Sequence, residues 1–105
     1  MFDHMNSLTT VTMSEFGRRA SENGSLGTDH GHEGMMMVLG GHVHGGKVHG
    51  EWPGLEDGQM VGPGDLAVTT DYRDVLSEVL TKRLNNTATN QIFPNDQAQE
   101  TKTFA

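Results

Sequence analysis

Leu8-Thr9-Thr10-Val11-Thr12-Met13-Ser14-Glu15-Phe16-Gly17 is a run rich in β-branched residues that ends at a glycine. Branched side chains suit a pleated surface and glycine interrupts it, so the pattern predicts a strand over 8–13 that delivers Ser14 and Glu15 to its carboxyl end. Outward from there, Arg18 to Glu33 is a polar, glycine-rich loop, and Met35-Met36-Met37-Val38-Leu39 is a short apolar run between Gly34 and Gly40-Gly41. Such a run fits a second strand buried on both faces, with its methionines as core filling. From Gly40 to Gly64, glycines, three histidines and two prolines break every period, apart from a short strand expected around 47–50. Ordered excursions of this length usually carry function.

The clearest helix follows. Asp71 is placed to cap it, Asp74 suits the first turn, and Tyr72, Val75, Leu76, Val79, Leu80 and Leu84 recur at helical spacing on one face. Lys82 and Arg83 complement the dipole at its end, and Asn85-Asn86 stops it. Beyond Asn85 the chain is polar, with Ile92-Phe93-Pro94 as an anchor, so 1–94 reads as the folded portion and 95–105 as a flexible tail. Two strands and one helix of this kind indicate an α/β protein, yet they supply one convincing cover for a sheet that needs two. The missing strands and helices are expected upstream of Met1, making the upstream remainder of the same domain the first partner.

Composition narrows the function classes. The 105 residues are 33% hydrophobic, contain 14 glycines, and carry a formal charge of -7 without a basic stripe. That balance argues against nucleic acid and anionic membrane as partners and favours divalent cations. No membrane span is expected, because the longest apolar run falls far short of the roughly 20 residues one requires, and no signal peptide opens the chain. With no cysteine, any metal is held by His, Asp and Glu.

Candidate ligands follow from these limits. Glu15, at a strand end facing a glycine-rich loop, stands where open α/β sheets put their ligands; alternatively it pairs with Arg18 or Arg19. Asp29-His30-Gly31-His32 offers three donors in four residues, with glycines that let the backbone wrap an ion, or is a solvated polar loop. In extended chain His30 and His32 share a side, and Asp29 then serves as an orienting partner of an imidazole. His42 and His44 repeat the spacing, with His49 nearby, and support a rival reading: a small, non-catalytic, histidine-based metal-binding module. Arg18-Arg19 is either a clamp for an oxyanion or a solvated pair. Trp52-Pro53 reads as a loop anchor or pocket wall.

Met13-Ser14-Glu15-Phe16-Gly17-Arg18, Gly27-Thr28-Asp29-His30-Gly31-His32, Gly45-Gly46-Lys47-Val48, Gly50-Glu51-Trp52-Pro53-Gly54-Leu55 and Asp65 through Val75 closely resemble the carboxyl-terminal part of a bacterial family, domain of unknown function 1501. The resemblance runs from about Leu8 to Pro94. It implies a sulfatase-like protein of the alkaline phosphatase superfamily, several times longer, often exported by a twin-arginine signal to the periplasm or beyond. It also implies the C-terminal fragment of an alkaline-phosphatase-like α/β/α sandwich, with metal-dependent hydrolysis of small phosphate or sulfate esters in the full-length protein. The nucleophile would lie upstream, so the chain alone is expected to be inactive. By likeness to phosphopentomutase-type members, Glu15 takes the place of a metal-binding Asp and His30 that of a metal-binding His, while Phe16 stands where a second ligating His is found. The other mapping sets Asp29-His30-Gly31-His32 on the Asp-His-x-His stretch of alkaline phosphatase. Together these make Glu15, Asp29, His30 and His32 the expected metal residues, for zinc, manganese or calcium.

Overall fold

A computed structural model describes residues 2–95, 99 and 101–104. Along the chain come a 3₁₀ helix (Phe2–Ser7), β1 (Thr9–Val11), β2 (Gly17–Arg18), β3 (His30–Gly31), β4 (Val38–Gly40), α1 (Tyr72–Lys82) and α2 (Thr89–Ile92). Helices and small antiparallel sheets make a mixed α/β chain. It divides into two compact units: Met1–Val11, Met37–Gly50 and Thr70–Ala105 in one, Thr12–Met36 and Glu51–Thr69 in the other. No helix among the described residues is long and apolar enough to cross a membrane.

In the first unit β1 and β4 pair antiparallel, Thr9 opposite Gly40, Thr10 opposite Leu39 and Val11 opposite Val38. The expected strands are there, shorter than their apolar runs and without the two-faced burial expected of the second. Met35 is 72% exposed, Met37 49% and Leu39 46%. Two strands form no interior, and a methionine run fills a core only where further layers cover it. No strand forms over 47–50, where Gly46 just before it and Gly50 at its end take positive φ and turn the backbone away from extension. Gly41 closes the turn after β4 by donating its amide to the Met5 carbonyl (2.8 Å).

Helix α1 begins and ends as its residues dictate. The Asp71 side chain accepts from the Arg73 amide at 2.9 Å, satisfying one of the donors a helix start leaves open. Asn85 takes a left-handed φ of 53°, which asparagine tolerates, and the Asn86 amide returns to the Leu80 carbonyl. The side that is most enclosed departs from the apolar periodicity. Asp74, Val75, Ser77 and Glu78 are buried, while Tyr72 and Leu84 are exposed.

Thr101–Phe104 covers that side. Glu78 accepts from the Thr101 amide (2.9 Å), from the Thr101 hydroxyl, and from the Phe104 amide (3.1 Å). Lys82 completes its shell at 3.2 Å, one turn along the helix. The Thr103 carbonyl takes the His44 amide at 2.8 Å, Phe104 bridges to Val43, and the Phe104 ring is 2% exposed. Within the expected tail over 95–105, Thr101 and Phe104 are hydrogen-bonded to α1; positions 96–98, 100 and 105 lie outside the described residues.

Candidate functional site

The polar loops of the second unit gather around β2 and β3, which pair antiparallel with Gly17 opposite Gly31 and Arg18 opposite His30. Glycine is required on both strands at the Gly17–Gly31 rung. A β-carbon at Gly17 would lie 1.4 Å from the Glu33 carbonyl oxygen, and one at Gly31 would lie 2.5 Å from Oδ1 of Asp65. The intervening loop is held by Asn23. Its side-chain oxygen accepts from the amides of Ser25 (2.9 Å) and Gly27 (3.1 Å), and its amide nitrogen reaches Oδ1 of Asp29 at 3.0 Å. Nη1 of Arg18 donates to the Thr28 carbonyl at 2.9 Å.

Each expected metal residue then has a definite place. Glu15 is exposed in the bend after β1. The carboxylate of Asp29, besides taking Asn23, lies 3.6 Å from the Arg19 guanidinium. His30, on β3, stacks its ring on Phe16 with centroids 3.8 Å apart and 28° between planes. His32 is exposed at the bend that follows β3. Alternation along the strand sends Asp29 and His30 to opposite sides. Among the described residues no three His, Cys, Asp or Glu side chains stand together as a metal ion requires. With Asp29 engaged by Arg19 and Asn23, and His30 lying flat on Phe16, these four residues as arranged do not fit a divalent metal as a set. In the histidine-rich loop, Nε2–H of His49 donates to the His44 carbonyl at 2.7 Å, which occupies that ring nitrogen.

Two residues that the sequence reading passed over belong to this region. Asp65 is 7% exposed, turned inward by Gly62-Pro63-Gly64, where Val61 and Asp65 exchange backbone bonds at 2.8 and 2.9 Å. Its Oδ1 lies 3.8 Å from Nε of Arg19 and has no hydrogen-bond partner, as has Nε of Arg19 itself. A carboxylate directly after a Gly-Pro-Gly turn was the available signal. Glu33 has one buried, unpartnered oxygen, and burial pushes its carboxyl above the usual value against a lowering bond from the Gly34 amide.

The two arginines thus play different parts. Arg19 faces two carboxylates, whereas Arg18 contacts a neutral carbonyl and the face of Phe16, 5.1 Å from the ring centroid. The family described as Protein of unknown function (DUF1501) matches residues 3–95. The chain belongs to this family. No curated protein and no solved structure matches it. The matched stretch takes in β1 to β4, the Asn23 loop and α1, and stops before the Thr101–Phe104 segment packed on that helix.

Proposed function

We propose that this member of the family is the carboxyl-terminal part of a larger, exported, sulfatase-like α/β/α domain of the alkaline phosphatase superfamily, which hydrolyses phosphate or sulfate esters. On this reading the chain supplies part of the substrate site and has no turnover of its own. The observation that carries it is the thinness of the core: of the described apolar side chains only Val75 and Phe104 are buried, while Met35, Val48, Trp52 and Leu55 stand open. Apolar side chains left to water forgo roughly 1.5–3 kcal/mol each, which a covering layer would recover. The polar loops of β2 and β3 support a site for an ester, with an arginine, imidazoles and flexible glycine backbone in one stretch.

Chemistry of this kind needs a nucleophile activated by a neighbouring base or metal. Ser14 is engaged locally, its hydroxyl donating to the Phe16 carbonyl at 3.1 Å. Among the described residues the expected metal ligands do not come together. The test is turnover of aryl phosphates and aryl sulfates. The 105-residue chain alone is expected to show none, and the same chain within the longer protein is expected to show it. Activity in the isolated chain that survives chromatography and is lost in His30→Ala would overturn the reading.

A further inference from the structure

Of the four expected metal residues, His30 stands beside an arginine rather than beside other ligands. Arg18 and His30 sit directly opposite each other across β2 and β3. Opposed residues on one face of such a pair hold their β-carbons about 4.5–5.5 Å apart, so a guanidinium and an imidazole there can reach the same small ligand. The guanidinium is oriented from two directions, by the Thr28 carbonyl at 2.9 Å and by the Phe16 ring at 5.1 Å. Neither contact neutralises it. One of its five N–H donors goes to Thr28, leaving the rest of the fork for an acceptor. The imidazole is fixed as well, by its stack on the same Phe16. Asp29, the acidic neighbour in sequence, turns to Asn23 and Arg19, and Asp65 also lies beside Arg19, so these two carboxylates face Arg19 and not Arg18.

We propose that Arg18 and His30, braced on Phe16, form a seat for the oxyanion of a phosphate or sulfate group. A planar guanidinium fork matches two oxygens of a tetrahedral anion, and the ring N–H of His30 serves a third. The seat deepens the ester reading above, from which only the class of ligand is taken: it holds the charged end of the substrate without a metal ion.

Titration of the 105-residue chain with inorganic phosphate, inorganic sulfate and phenyl phosphate, in buffer containing EDTA and at a temperature where the amides of residues 17–18 and 30–31 are protected from exchange, tests it by the NMR shifts of the Arg18 and His30 side chains. All three are expected to give saturable shifts, and the ratio of phosphate to sulfate affinity tells which ester the seat suits. Arg18→Ala should weaken binding about tenfold or more, the scale of a hydrogen bond to a charged group. Arg18→Lys keeps the charge and loses the fork, so it should fall between the two, and it decides the matter if the alanine variant disturbs the sheet. His30→Ala should weaken binding while the amides of residues 17–18 stay protected. Absence of saturable shifts, or affinity indifferent to both Arg18 variants, would each overturn the seat. Turnover in the longer protein that ignores Arg18→Ala would reject the seat and leave the ester reading standing; anion binding without any turnover there would do the reverse.

Discussion

At Gly17 the backbone of one strand lies against the carbonyl of Glu33, where a β-carbon would sit 1.4 Å from the oxygen. Gly17→Ala must therefore push β2 off its neighbour, at a cost of about 1–3 kcal/mol or more. Hydrogen exchange at residues 17–18 and 30–31 should become fast, and unchanged protection would show that the backbone yields more easily than its packing implies. Glu78 poses the opposite case, a buried charge that is fully answered. Burial opposes its ionisation, but the bonds from Thr101, Phe104 and Lys82 together outweigh that cost and hold its carboxyl below the usual 4.5. A carboxyl depressed in the folded state stabilises above its unfolded value and ceases to do so as pH falls through the folded one. The packing of 101–104 on α1 should thus be complete at neutral pH and be released as pH falls below 4.5. Glu78→Gln should weaken it at neutral pH by about 2 kcal/mol, read from exchange of the Phe104 amide. A release midpoint near neutrality would contradict this account.

The elements differ in how much their own residues decide. Helix α1 carries its start and stop within itself, with Asp71 as cap and Asn85 at a positive φ. Asp71→Ala should cost about 1 kcal/mol of helix stability, seen as lost ellipticity and faster exchange over the first turn; an unchanged first turn would mean tertiary packing alone holds it. Arg73 donates to the Asp71 carboxylate, and this bond holds its pKa below the usual 3.8 despite some burial. The cap is therefore retained above that value and lost on strong acidification. The strands are less autonomous. β1 and β4 are three residues each, and β2 and β3 two each, so their pairing rests on the loops that bring them together. Asn23 does this for β2 and β3 with three side-chain bonds. Asn23→Ala should loosen the 19–29 loop and with it the pairing of Arg18 with His30, measured as weaker phosphate binding beside an intact α1. Phosphate affinity equal to wild type would show that the strand pair persists without the loop.

For the molecule as a whole, the decisive quantity is apolar burial. Marginal stability is a small remainder between burial and chain entropy, and a chain with Val75 and Phe104 as its buried apolar residues, among those described, stands near the losing side of that balance. The isolated chain should bind a hydrophobic dye at neutral pH and unfold over a broad range with a low midpoint. A sharp cooperative transition at high temperature would show that the two units cover more apolar surface than their exposures indicate. Within a larger domain, the side chains of Met35, Met37 and Leu39 should lose their exposure, which methionine oxidation would detect as protection.

What the amino-acid order determined by itself was local: the span and both ends of α1, the two short strands flanking the polar loop, and the family to which residues 3–95 belong. Capping, helical period and glycine interruption act between residues a few positions apart, so they can be read along the chain. Tertiary structure alone decided which side of α1 is enclosed, because the carboxylate of Glu78 becomes tolerable inside only when amides from residues 101 and 104 arrive to bond it. It alone set Asp29 and His30 apart, giving the first to Arg19 and Asn23 and the second to Phe16. Asp65 came into view for the same reason: nothing near it in sequence says that it faces Gly31 and Arg19, since partners brought together across a sheet leave no period in the chain.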